Sequence, residues 1–187
     1  LEIALLRHGK PEAISAVPLY AFQFPDWIAG YNNCGIAKES VPSKAALEYA
    51  SNCGVLVSSD LPRSVQSAEL LCGDNRDAPD NLFTEAGMPY AEWHALKLPP
   101  GYWAVLFRML WYLGYSKNSE SYSDARKRAV LAAHKLIGLA KTRQSVLLAG
   151  HGIFNRLIAS ELKFLGWSGP RNPGSNYWDY RIYTKRP

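Results

Sequence analysis

Short, continuously apolar runs alternate with longer amphipathic stretches along this chain, and the alternation predicts its elements. Apolar runs bounded by turn formers occur at 2–6 (EIALL), 54–58 (GVLVS) and 145–149 (SVLLA). Such runs suit strands buried on both faces of a parallel sheet. Weaker strand-like runs lie around Leu82-Phe83 and at 177–183. Apolar residues at helical spacing mark helices at about 43–51, 62–72, 102–113, 122–142 and 154–165. Strands alternating with helices predict an α/β fold: three α/β/α layers, a mostly parallel central sheet and one antiparallel strand.

Two stretches break the alternation. Residues 11–35 hold Pro11, Pro18, Pro25 and five aromatics, and read as a long irregular loop. Residues 86–121 are rich in Trp, Tyr and Pro, and read as a helical, aromatic insertion. Long excursions from a compact α/β domain tend to be lids or binding loops, so both are expected over the same end of the sheet.

Composition narrows the class. The 187 residues fit one domain spanning 1–187 with a lid-like insertion at about 86–121, and suffice for a core without disulfides or a structural metal. No apolar stretch is long enough for a bilayer and no export signal opens the chain, so no membrane role is expected. Leu1 already lies at the edge of the first strand, which suggests that a few leading residues are missing. Cys34, Cys53 and Cys72 are far apart and show no metal-ligand spacing, pointing to a reduced, cytoplasmic protein. The net charge of +5 fits a small anionic substrate drawn to a positive cleft. Its densest cluster, Arg126-Lys127-Arg128, lies in a helical run and reads as a solvated face, not a nucleic-acid site.

Chemistry concentrates where strands end, the usual ligand site of an open α/β sheet. The first strand ends in Arg7-His8-Gly9; the second ends in Ser58-Ser59-Asp60-Leu61-Pro62-Arg63; a later one ends in Gly150-His151-Gly152. Arg63 and His151 stand at helix starts, where a cation opposes the macrodipole by about 0.3–1 kcal/mol. An anion held there by side chains and backbone amides removes the conflict, and phosphate suits the forked guanidiniums. Singly, each residue reads as an ordinary surface or structural group; three together at one end of the sheet read as an anion site.

The segments LLRHGKPE, SSDLPRSVQSAELL, FTEAGMP and LLAGHGIFNRLI, in this order, resemble the histidine phosphatase superfamily, also called phosphoglycerate-mutase-like. The resemblance implies that His8 is the nucleophile, that Arg7, Arg63, His151 and Gly152 surround the phosphate, and that Glu85 is the proton donor. Lys10 departs from the pattern, since many relatives carry Glu or Asp there. Glu92, Asp60 and Glu12 compete with Glu85 for the acid role.

The residue types suit that chemistry. A neutral imidazole is nucleophilic near pH 7, and nearby Arg7 and Arg63 disfavour its protonation. Arginines and a protonated His151 would balance charge on the transferring group, and one carboxyl could serve the leaving alkoxide and then water. No metal or other cofactor is required. Ser58 and Ser59 could reach the phosphate but suit helix capping, as Ser121 does. Asn33 could reach substrate, although a turn role fits it better. Trp103, Phe107, Leu110 and Trp111 repeat as core positions; Tyr90, Trp93 and His94 stay open to a substrate role, and His134 reads as structural or exposed.

The expected activity is a metal-independent phosphatase hydrolysing phosphate monoesters of small molecules through phosphohistidine. The alternatives are a phosphoglycerate-mutase-type phosphotransferase, a phosphatase of phosphohistidine proteins, and a catalytically silent relative that only binds phosphorylated ligands. A P-loop nucleotide binder is disfavoured because its glycine-lysine motif is missing.

Overall fold

Ile3, Ala4, Leu5 and Leu6 have no solvent exposure in the computed structural model, which describes residues 1–72 and 76–186. Along their strand, β1 (Glu2–Arg7), side chains alternate between two cores. Ile3 and Leu5 join one cluster, and Ala4 and Leu6 join the other. A strand covered on both faces needs a helical layer on each side. The elements that follow supply them: β2 (Leu19–Tyr20), α1 (Phe24–Asn33), α2 (Lys44–Ser51), β3 (Val55–Ser58), α3 (Pro62–Cys72), β4 (Lys97–Leu98), α4 (Pro100–Tyr112), α5 (Tyr122–Arg143), β5 (Ser145–Gly150), α6 (Gly152–Phe164) and β6 (Tyr180–Thr184).

The main sheet has the order β3-β5-β1-β6, with β3, β5 and β1 parallel and β6 antiparallel to β1. α2 and α3 cover one face through Ala46, Ala50, Ala68 and Leu71. α5 and α6 cover the other. α5 approaches closely because its buried face is Ala125, Ala129, Ala132, Ala133, Leu136 and Ala140, small residues at helical spacing. The expected layers, mostly parallel sheet and single antiparallel strand are therefore present.

Three expectations change. Leu82-Phe83 is not a strand but part of a 3-10 turn, Asn81–Phe83, whose Asp80 carboxylate accepts from the Leu82 N–H. A side chain that satisfies the backbone locally competes with sheet pairing. The last strand starts at Tyr180, not Tyr177, because Trp178 has φ 65°, a left-handed conformation no strand contains. Residues 11–35 are not an irregular loop throughout: they hold β2 and the ten-residue helix α1. Pro25 sits in the first turn of α1, where its missing N–H costs nothing. Trp27 and Tyr31, one turn apart, stack 5.6 Å apart.

The two excursions form a unit together. β2 pairs with β4, and Ala21, Phe24, Ala91, Trp103 and Phe107 make a core of their own. Trp103 and Phe107 fill core positions as their spacing predicts, and Trp111 is buried in a neighbouring cluster.

Candidate active site

Sheet register brings the strand ends level. Leu6 lies opposite Ala149 and Arg7 opposite Gly150, while Ser58 also lies opposite Ala149. The residues just beyond, His8, Ser59 and His151, are therefore neighbours although they are far apart in sequence. The His8 N–H donates to the Gly150 carbonyl at 3.0 Å, and the His8 and His151 rings are 5.0 Å apart.

The state of His8 follows from its partners. Arg63 Nε donates to His8 Nε2 at 3.2 Å. A guanidinium has only donors, so Nε2 carries the lone pair and Nδ1 the proton. Nδ1–H in turn donates to the Gly9 carbonyl at 2.7 Å; this is the acceptor that sequence could not name. Burial, then Arg63, then Arg7 oppose protonation and push the His8 pKa down to about 3, although the Gly9 carbonyl favours the charged form. His8 is thus a neutral imidazole with its Nε2 lone pair directed at a cation.

Gly9 is glycine because the ring of Trp178 presses on it. A Cβ there would fall 2.5 Å from Trp178 Cζ2. Trp178 donates from its backbone to the Arg7 carbonyl at 3.0 Å and from its indole to Ser40 at 3.0 Å. Gly150 is similarly constrained, since a Cβ would meet Asn155 Oδ1 at 2.4 Å.

Arg63 is fully buried at the start of α3. Its other donors reach the Tyr31 carbonyl at 3.1 Å and Asn32 Oδ1 at 3.4 Å, and the guanidinium lies over the Tyr31 ring. Arg7 donates to the Ser175 carbonyl and lies 4.4 Å from the centre of the Tyr177 ring. Arg7 Nε and His151 Nδ1 are buried with no hydrogen-bond partner among the described residues. Unsatisfied buried nitrogens of this kind call for an explanation, and an anion that takes the Arg7 Nε–H supplies one for the guanidinium. Gly152, the first residue of α6, packs against Arg7; a Cβ on it would stand 3.6 Å from Arg7 Nε.

His151 corrects one expectation. It is fully buried, and burial, His8, Arg63 and Arg7 together hold its pKa well below the usual value. It is neutral at pH 7, not protonated, and its Nε2 lies 2.6 Å from Ser59 Oγ. A neutral imidazole still presents one N–H.

Glu85 sits at the start of α6. Its carboxylate accepts from the N–H groups of Phe154 at 2.8 Å, Ile153 at 3.2 Å and Ala86 at 2.9 Å. That satisfies orphan donors of the first turn, where the His151 side chain provides no cap. Of its competitors, Glu12 and Glu92 are exposed, and Asp60 accepts from the Thr84 hydroxyl. Arg128 is not part of a solvated face, unlike exposed Arg126 and Lys127. It pairs with Glu120 at 2.8 Å and donates to the Leu82 and Thr84 carbonyls, fastening the segment that carries Glu85.

Arg7, Arg63 and Glu85 line the floor of one cavity of about 630 Å³, walled by α1 and α4. All six sequence-predicted positions, Arg7, His8, Arg63, Glu85, His151 and Gly152, thus meet at one end of the sheet. Asn33 does not: it is exposed at the end of α1, and Asn32 lines the cavity instead. Tyr90, Trp93 and His94 are not among the lining residues. Lys10 and His134 are exposed.

Sequence reasoning missed the supports. Ser64 accepts from the Ser59 N–H and donates to the Ala149 carbonyl; Ser67 accepts from the Gly9 N–H; Asn155 donates to the Leu6 carbonyl. These side chains fill hydrogen bonds that the strand ends leave open. Ser64 and Ser67 lie three residues apart on one face of α3, a signal that could have flagged them.

Comparison with known proteins identifies the family and the fold. The family described as "Histidine phosphatase superfamily (branch 1)" matches residues 43–177, so the chain belongs to the histidine phosphatase superfamily. That match contains Arg63, Glu85 and His151 but not Arg7 or His8, which the sheet register brings in. No curated protein matches the sequence. Among solved structures, a mycobacterial glucosyl-3-phosphoglycerate phosphatase is similar at 18% identity over 86% of this chain and 78% of that one, with a TM-score of 0.54. A phosphoserine phosphatase mutant from Entamoeba histolytica, solved with phosphoserine, is similar at 16% identity over 87% and 80%, with a TM-score of 0.51. A protein called mycobacterial hydrolase 1 is similar at 18% identity over 98% and 97%, with a TM-score of 0.56. At these identities the likeness concerns the fold. Among the described residues, no helix is long and apolar enough to cross a membrane.

Proposed function

We propose that this protein hydrolyses phosphate monoesters through a phosphohistidine on His8, with the two excursions as its lid. The observation that carries the reading is the His8 tautomer: Nδ1–H fixed on the Gly9 carbonyl and the Nε2 lone pair turned toward Arg63. A histidine kept only for packing does not need its free nitrogen aimed into a cationic cradle.

In this reading the phosphoryl group lies among Arg7, Arg63, His151 and the Gly152 amide, whose donors take its oxygens. His8 Nε2 attacks phosphorus, and the bond to the ester oxygen breaks with its electron pair on that oxygen. A protonated Glu85 carboxyl gives its proton to the leaving alkoxide. A water then loses a proton to the Glu85 carboxylate and attacks phosphorus. The P–N bond breaks, its pair returns to Nε2, and inorganic phosphate leaves.

Incubation with a ³²P-labelled aryl phosphate followed by rapid quench tests this. The expected result is an acid-labile, base-stable label on wild type that His8→Ala lacks. A base-labile label, or undiminished hydrolysis by His8→Ala, would sink the assignment.

A further inference from the structure

Above its cationic floor the cavity has a different chemistry. The wall is built by Trp27, Ile28, Met88, Val105, Met109 and Tyr112. Both methionines of the chain are in it. Methionine side chains adapt to apolar partners of varied shape.

The helix α4 supplies half of these wall residues. Its thirteen residues, PGYWAVLFRMLWY, include one charged residue, Arg108. Trp103, Phe107 and Trp111 point inward and are buried, while Val105, Met109 and Tyr112 remain 62%, 60% and 46% exposed. A helix that is apolar on its outward face as well has a second apolar surface to cover. Here that surface is continuous with the floor that holds Arg7 and Arg63.

Three of the polar groups around the cavity, Arg108, Thr84 and Asn32 Oδ1, have partners already. Arg108 donates to the carbonyls of Gly87 at 3.0 Å and Ala86 at 2.9 Å and lies over the Trp111 ring. Thr84 donates to Asp60, and Asn32 Oδ1 accepts from Arg63. A leaving group rich in hydroxyls would surrender hydrogen bonds to water against this wall.

We infer that the alcohol half of the substrate is apolar, a long alkyl or arylalkyl group, and not a sugar, sugar acid or amino acid. This rests on the phosphatase reading for its floor and on the α1–α4 wall for its specificity. A volume near 630 Å³ lies within the range of small-molecule sites, so it has room for more than the phosphate.

Two parallel series of n-alkyl compounds, ethyl to octyl, test the inference. Alkyl alcohols have nearly equal acidity, so chain length changes burial and not leaving-group reactivity. For the phosphates, kcat/KM is expected to rise roughly two- to fourfold per methylene until the wall is filled. Glycerol phosphate and phosphoserine should fall below butyl phosphate. For the non-hydrolysable alkylphosphonates, calorimetric affinity should rise in parallel. Met109→Asp and Val105→Asp, both at exposed positions, should lower the octyl-to-ethyl ratio at least tenfold, and Met109→Leu should preserve it. A ratio unmoved by both aspartates, a flat chain-length profile, or a preference for phosphoserine would overturn the inference while leaving the phosphatase reading intact. Chain-length-dependent phosphonate binding without turnover of any ester would uphold the wall and sink the phosphatase reading alone.

Discussion

The floor and the wall of the cavity are built in opposite ways. Arg7 and Arg63 of the floor, and the buried His8 and His151 next to them, sit at or beyond the ends of β1, β3 and β5, and the register of three parallel strands fixes their spacing. The wall sits on α1 and α4, which pack on each other through Phe24, Trp103 and Phe107. A one-residue slip in the sheet would turn every core side chain to the wrong face, so the floor tolerates no adjustment. The wall is a satellite core whose side chains can change without disturbing strand pairing. On the proposed function, reaction chemistry would be tied to the most constrained part of the fold, and specificity to a part free to vary.

Substitutions can break or sharpen that contrast. The largest effect is expected for His8→Ala, which should lower phosphate-ester hydrolysis by roughly 10⁴-fold or more in steady-state assays. Next is Phe107→Ala, an unexposed ring in the wall core, expected to cost about 3–5 kcal/mol in urea unfolding. Hydrogen exchange should show α1 and α4 losing protection before β1 and β5; simultaneous loss would erase the distinction between the two regions. Arg63→Ala should reduce kcat about 10²- to 10³-fold, with Arg63→Lys recovering only part, since a lysine cannot reproduce the fork.

A smaller and more selective effect is expected for Glu85→Gln. In kcat/KM, which reports phosphoryl transfer to His8 and not the later attack of water, the loss with ethyl phosphate should approach about 10²-fold, whereas p-nitrophenyl phosphate, whose leaving group needs no proton, should lose far less. Equal losses would assign Glu85 to helix capping alone. The smallest effect is in acid. His8 titrates at about 3 in the folded protein against 6.5 ordinarily, so the unfolded chain binds the extra proton between those values. Its contribution to stability is complete above pH 6.5 and is lost as pH falls through the window toward 3. His151 acts with the same sign. His8→Gln should flatten the decline in denaturant midpoint between pH 7 and 5, and an unchanged slope would contradict the buried, neutral state.

The cationic floor was legible because its residues violate local rules. Cations at helix starts and an Arg-His pair at the end of an apolar strand are conspicuous in one dimension. Half of the wall was legible too, since apolar spacing predicts the helix that is α4. The other half was not, because α1 carries Pro25, Gly30 and paired asparagines, a weak local signal that tertiary packing of Phe24 overrides. Glu85 could be picked out by resemblance, yet nothing local showed that its carboxylate would close the first turn of α6. Arg128 looked like a surface charge because its partners, Glu120 and the Leu82 and Thr84 carbonyls, lie on a segment whose path depends on the whole fold.

The hold on Arg63 crosses the border between the two regions. Its guanidinium is steadied by the Tyr31 carbonyl and the Asn32 amide, at the end of the helix that also presents Trp27 and Ile28. On the proposed function, an occupant leaning on α1 would press, through one turn of helix, on the cation that donates to His8 Nε2. The length of the departing alcohol should consequently register in turnover itself, so that a good fit hastens the reaction as well as retaining the molecule.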